Sequence, residues 1–142
     1  MKKIIKLTLV ILWMLLIFFF SNQRAEDSSK LSDGIIVKVV NVFVDKELSK
    51  EKQEEILEKY TTLVRKTAHF IIYLILGILV VNLLCEYNIK QIILISLFIC
   101  MLYSISDEFH QLFIDGRSGE IRDILIDTIG SLVGIMIYKI TK

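Results

Sequence analysis

The sequence predicts an all-α membrane protein, with four transmembrane helices in a bundle and an amphipathic, helical extracytoplasmic segment between the first and second. Three observations carry the prediction. Of 142 residues, 54% are hydrophobic, the mean hydropathy is +0.62, and proline is absent. The apolar residues come in blocks and the charges collect between them, whereas a soluble domain of this size interleaves the two. Four of the blocks approach the length a helix needs to cross about 30 Å of hydrocarbon. The expected spans are about 4–20, 69–85, 89–106 and 123–139 of a single domain covering 1–142, with the extracytoplasmic segment at about 31–64.

The first block, Ile4–Phe20, follows Lys2 and Lys3 and precedes Ser21-Asn22-Gln23. No small-residue cleavage site follows, so it reads as an uncleaved anchor in preference to a signal peptide, with Lys6 snorkelling to the interface. In the next segment Gly34, Lys38, Asn41 and Asp45 fall at helical spacing, and Ile35, Ile36, Val39, Val40 and Phe43 fill the rest. Such a stretch suits the membrane interface or a cap over the bundle, although its valines also permit a strand. Ser49 is the expected N-cap of a further helix in which Ile56, Leu57, Tyr60, Leu63 and Val64 share a face. Glu55 and Lys59 add an i,i+4 pair, and this helix runs nearly into the second span. Only Glu86–Lys90 separates the second span from the third, which predicts a tight antiparallel hairpin.

Orientation follows from the flanking basic residues. Lys2, Lys3, Lys6, Lys90, Lys139 and Lys142 fall on one side, which makes both termini of this plasma-membrane, multi-pass chain cytoplasmic. Arg65 and Lys66 count against this, but they belong to a long segment with nearly equal acids and bases, which weighs less. A net charge of +1 without a basic stripe argues against a nucleic-acid partner. Cys85 ends one apolar run and Cys100 lies about 16 Å into the next by helical rise, so no disulfide is expected. There is no dinucleotide fingerprint, phosphate-cradling loop or nucleophilic-serine arrangement, and no cofactor is predicted.

Ionisable groups beside membrane spans are functional candidates by default, because hydrocarbon disfavours them. His69, Tyr73 and Gly77 repeat every four residues on the second span. Ser96, Cys100, Ser104, Asp107 and Gln111 stripe the third, and Asp123, Asp127, Gly130 and Gly134 line one face of the fourth. All three stripes put their ionisable ends towards the same, outer side, and Asp115-Gly116 and Gly119 supply turns that can fold the connecting loop back over the mouth. The predicted pocket therefore gathers His69, Tyr73, Asp107, Glu108 and His110 with Gln111, Arg117, Arg122, Asp123 and Asp127.

Several roles compete for these residues. His69 reads as an interfacial residue bonded to a carboxylate in preference to a metal ligand. With His110, Asp107, Glu108 and Asp123 it offers enough donors for a divalent ion, yet the spacing matches no dedicated motif and no metal is predicted. Asp107 and Glu108 point about 100° apart on a helix, so Asp107 shares a face with Gln111 while Glu108 looks to another partner such as an arginine. A paired-carboxylate acid/base mechanism needs Asp107 with Asp123 or Asp127; the alternative is a charge network that locks helix register. Arg117 either grips a phosphate or carboxylate or forms a salt bridge to Asp107 or Asp123. Ion or proton transport ranks last, since the inner halves of the spans offer only Asn82 and small hydroxyls.

The compound pattern resembles the VanZ-like membrane proteins. It comprises Trp13 with Ile17-Phe18 and Ser21-Asn22-Gln23, the run Arg65-Lys-Thr-Ala-His-Phe-Ile-Ile-Tyr73, and Asp107-Glu-Phe-His-Gln-Leu-Phe113, followed by Gly116-Arg117, Asp123, Asp127, Gly130 and Gly134. Asp127 is a departure, since the family often carries asparagine there; the added charge points to a protonated or arginine-paired carboxyl. The resemblance implies a cell-envelope protein connected with teicoplanin-type lipoglycopeptide resistance. It would bind or shield an amphiphilic, anionic ligand at the outer leaflet, such as a membrane lipid, a lipid-linked cell-wall intermediate or a lipoglycopeptide. The alternative is a small membrane enzyme acting on a lipid-linked envelope substrate through His69, Asp107 and Asp123.

Overall fold

A computed structural model describes residues 1–23, 29–30, 32–38, 50–117 and 119–142, without the side chains of 50–55 and 58–59. Four long helices make the fold: α1 (Lys2–Ser21), α2 (Lys50–Leu84), α3 (Ile92–Gln111) and α4 (Ile121–Thr141). No strand occurs among the described residues. Each helix contains a stretch long and apolar enough to cross a membrane; the second begins at Tyr60 in α2 and continues through the following short turn to Tyr87.

The amphipathic stretch expected ahead of the second span and the span itself are one uninterrupted helix of 35 residues. Nothing breaks it, because neither glycine nor proline occurs between Lys50 and Leu76. By helical rise it is about 50 Å long, more than the hydrocarbon thickness, so part of it projects beyond the bilayer. It ends in a single 3-10 turn, Cys85–Tyr87, and Asn88 then takes a left-handed φ of 50°. Asparagine tolerates that conformation, which turns the chain sharply into α3. Residues 29–30 and 32–38 are also helical, Ile36 is buried, and the Thr61 hydroxyl donates to Asp33 Oδ1 at 2.5 Å. Val39, Val40, Asn41, Phe43, Asp45 and Ser49 lie outside the described residues, as do the side chains of Glu55 and Lys59.

α2 is the hub, packed against the other three helices and most extensively against α4. The α2–α4 approach is backbone to backbone: Gly77 meets Ser131, Gly130 meets Phe70 and Gly134 meets Leu74. A Cβ on Gly130 would lie 2.5 Å from the Phe70 carbonyl oxygen. Hydrocarbon gives helices no hydrophobic reason to associate, so close packing of small residues has to supply the attraction.

α1 is attached through a narrow strip of Val10, Ile17 and Ser21, while Leu12, Leu15 and Phe19 stay exposed, as suits a lipid-facing surface. Two aromatic donors fasten it. Trp13 Nε1 donates to the Ile72 carbonyl at 2.9 Å, and the Tyr103 hydroxyl donates to the Met14 carbonyl at 2.5 Å. At one end of the bundle Lys6 pairs with Glu86 and donates to the Asn82 carbonyl at 3.2 Å. Tyr138 donates to Asn82 Oδ1 at 2.8 Å, so both ends of the chain gather beside the α2–α3 turn. The polar stripes meet at the opposite end.

Gly134→Ala should lower the Tm of the detergent-solubilised protein by an amount equivalent to about 1–3 kcal/mol, because its Cβ meets the Leu74 backbone. Gly34→Ala, with open space around it, should leave Tm unchanged or raise it slightly.

Candidate functional site

The last two turns of α3 carry Ser104, Asp107, Glu108 and Gln111, all buried. The first turns of α4 bring Asp123 and Asp127, α2 brings Lys66, His69 and Tyr73, and α1 ends here at Ser21. Asp107 Oδ2 accepts from Ser21 Oγ at 2.8 Å and from Gln111 Nε2 at 3.2 Å. Asp127 Oδ2 accepts from Ser104 Oγ at 2.9 Å. The other oxygen of each aspartate has no hydrogen-bond partner, although Asp127 is 0% and Asp107 only 3% exposed. His69 Nδ1 lies 3.5 Å from Asp127 Oδ1, within ion-pair range but outside hydrogen-bond geometry. A ring nitrogen of His69 and one oxygen from each aspartate all fall within 4.8 Å of one another. Tyr73, fully buried below them, also has an unpartnered hydroxyl.

The loop from α3 to α4 folds back over this cluster. Gly116 turns it with a φ of 74°, a conformation suited to glycine. Glu108 Oε2 then accepts the Glu120 main-chain N–H at 3.1 Å, so a buried carboxylate of α3 anchors the start of α4. Arg117 Nη1 donates to Gln111 Oε1 at 3.1 Å and Nη2 to the Phe20 carbonyl at 3.4 Å, which ties the loop to α1. Neither expected arginine–aspartate bridge appears among the bonds of Arg117, and its Nε has no partner. Burial above all, and then the neighbouring Arg65 charge, draw this guanidinium below its ordinary value. A cation in that condition gains from an incoming anion.

The remaining candidates separate from the cluster. Lys66 holds Asp123 at 2.8 Å and Glu120 at 3.2 Å, so Asp127, not Asp123, faces His69. Asp127 meets a histidine and a serine, so of its two expected states, protonated or arginine-paired, the arginine pairing does not form. Glu108 meets a main-chain N–H in place of the expected arginine. His110 turns to α1, 3.2 Å from Asn22 Oδ1 and with its ring centroid 4.6 Å from that of Phe18. Arg122 is exposed on the first turn of α4. Sequence reasoning passed over Ser21 and Lys66 as site residues. Ser21 was discoverable: it lies in register with Val10, Met14 and Ile17 on the buried strip of α1.

Among the described residues, two cavities open at this end. A small one of about 40 Å³ is lined by Lys66, His69, Gln111, Arg117 and Asp123 among others. A larger one, about 550 Å³, has an apolar lining that includes Phe20, Ile35, Val64 and Ile72. Lys30, Lys38, Arg65 and Arg117 supply its basic groups, and Arg65, His69 and Arg117 line both cavities.

Four apolar helices enclosing a polar cluster at one end define a multi-pass helical membrane protein. The chain belongs to the family described as VanZ/LLP1, whose model matches residues 6–142. Neither the curated proteins nor the solved structures give a match.

Gln111→Leu removes a donor to Asp107 and the acceptor of Arg117 at once, and should destabilise the solubilised protein by about 1–3 kcal/mol in thermal unfolding. Arg122→Ala, at an exposed position, should stay within about 0.5 kcal/mol of wild type.

Proposed function

We propose that this protein binds an anionic amphiphile at the outer leaflet of a bacterial plasma membrane. A lipid-linked cell-wall intermediate and a lipoglycopeptide both have that chemistry, and binding would shield the envelope from teicoplanin-type drugs. The observation that carries this reading is the 550 Å³ cavity, of a size typical for ligand pockets, with an apolar lining and four basic residues. The lining accepts an acyl chain, and Arg65 and Arg117 suit a phosphate or carboxylate. Membership of the VanZ/LLP1 family supports an envelope role. In this reading the Ser21 end faces outward and both termini are cytoplasmic, in keeping with the basic residues at the Glu86 end. A second reading, a membrane enzyme acting on a lipid-linked substrate, draws on the juxtaposition of His69, Asp107 and Asp127. It requires turnover of an envelope lipid by the purified chain that Asp107→Asn abolishes.

Gly34 lines the cavity, and a Cβ added there would meet nothing within 4 Å. Lys38 is exposed at the cavity's edge, so both residues can be changed without disturbing the bundle. Gly34→Leu and Lys38→Glu should each weaken binding of a short-chain phosphatidic acid by about tenfold, equivalent to 1.4 kcal/mol. In cells the same variants should sensitise to teicoplanin at unchanged membrane abundance. Unaltered affinity in both variants counts decisively against this cavity.

Orientation has its own check. Asp115→Cys in a Cys85→Ser background should react with a membrane-impermeant maleimide in intact cells, since Asp115 is exposed on the α3–α4 loop. The native Cys85, exposed at the other end, should react only after permeabilisation.

A further inference from the structure

We propose that His69, Asp107 and Asp127 form a site for one divalent transition-metal ion, zinc-like in its taste for mixed nitrogen and oxygen donors. The ligand set is one imidazole nitrogen from α2 and one carboxylate oxygen each from α3 and α4, within 4.8 Å of one another. Donors placed about 2.1 Å from a tetrahedral centre lie about 3.4 Å apart. His69 Nδ1 and Asp127 Oδ1 are already at 3.5 Å.

The surrounding bonds favour coordination. Ser104 engages one oxygen of Asp127, and Ser21 and Gln111 engage one oxygen of Asp107. Each aspartate is thus oriented through one oxygen while the other is left without a hydrogen-bond partner, as is His69 Nδ1. Hydrogen-bonded carboxylates of this kind are the usual outer support of a metal ligand. The burial is extreme, with Asp127 at 0% and Asp107 at 3% exposure, and a lone polar atom so placed is costly.

Charge balance points the same way. Two buried carboxylates beside a neutral imidazole carry a formal charge of −2, which a divalent ion cancels. The nearby cations are engaged elsewhere: Lys66 with Asp123 and Glu120, Arg117 with Gln111 and the Phe20 carbonyl. The competing state has a protonated carboxyl and a charged His69, and it needs no ion. Three protein ligands leave a coordination position open. The roughly 40 Å³ cavity also touches His69, and it exceeds the volume that one water needs. The site does not depend on the amphiphile reading, and its test contains no such ligand.

The full chain, purified in detergent and stripped with a chelator, is titrated with zinc chloride. Metal retained per chain is read by elemental analysis, alongside the Tm. One ion per chain and a Tm that climbs with zinc are expected, as for any ligand bound only by the folded state. Asp127→Asn and His69→Gln should each weaken zinc binding roughly 100-fold, at or beyond what loss of an outer-shell partner costs. Arg122→Ala, at an exposed position on the first turn of α4, should keep wild-type affinity. If the ligand variants do not fold, cobalt loaded into the wild-type chain serves instead. Intense visible bands of low-coordinate cobalt, with X-ray absorption showing imidazole and oxygen donors and no sulfur, support the site. A stripped chain that takes up neither zinc nor cobalt overturns the proposal, as does undiminished affinity in Asp127→Asn, which would assign the metal to another residue such as His110.

Discussion

Three carboxyl groups, Asp107, Glu108 and Asp127, are buried at one end of a bundle whose other surfaces are largely apolar. Their need for internal partners shapes much of what surrounds them, because hydrocarbon supplies none. The partners are neutral. Two serine hydroxyls, a glutamine amide and a main-chain N–H each meet one carboxylate oxygen. To deliver them, α1 has to end with Ser21 at the depth of Asp107, and the α3–α4 loop has to return far enough for Glu120 to reach Glu108. The arginine at the turn fastens that arrangement to α1 without touching an aspartate. Helix ends and loop path are therefore consequences of where the acids sit.

The opposite end solves the same problem by another route. There a full charge pair, Lys6 with Glu86, is supplemented by Asn82 and Tyr138, and it ties α1, α2 and α4 together. Opposite charges meet directly, and both partners keep some exposure, with side chains 23% and 28% accessible. At the Ser21 end the cations stay one layer out, on Asp123, Glu120 and the loop, and polar atoms at the centre remain unpartnered. One end behaves as a clasp. The other keeps carboxylate oxygens without hydrogen-bond partners at its centre.

The fold was legible because its signals are local. Blocks of apolar residues mark the spans, and the lack of glycine or proline from Lys50 to Leu76 accounts for the unbroken α2. The stripe from Ser96 to Gln111 was legible for the same reason, since a period near four puts it on one buried face. What could not be read depends on the depth and rotation of one helix against another. Asp123 and Asp127 share a face of α4, and only the axial position of α2 decides that Lys66 takes the first and His69 the second. His110 lies one turn from Asp107, yet the flank it occupies belongs to Phe18 and Asn22. Ser21 sits where an apolar run stops, a place that reads as a boundary until its packing partner is known.

That axial position has an identifiable origin. Phe70 follows His69 directly, and Gly130 lies one turn beyond Asp127; these two residues form one of the tightest contacts between α2 and α4. The absence of a side chain at Gly130 lets the two backbones meet there, so the spacing of imidazole and carboxylate is set beside the contact, not by the ionic attraction between them. A Cβ at Gly130 would push α4 outward and widen the 3.5 Å separation while leaving every polar residue in the sequence unchanged. The serines behind the aspartates then hold the carboxylates in orientation. Packing of small residues thus fixes distance, neutral hydrogen bonds fix direction, and among the described residues His69 is the basic side chain within ion-pair range of Asp127. Each of the three has a stabilising explanation taken singly. Taken together, they account for two buried aspartates that each keep one oxygen free of hydrogen bonds beside His69.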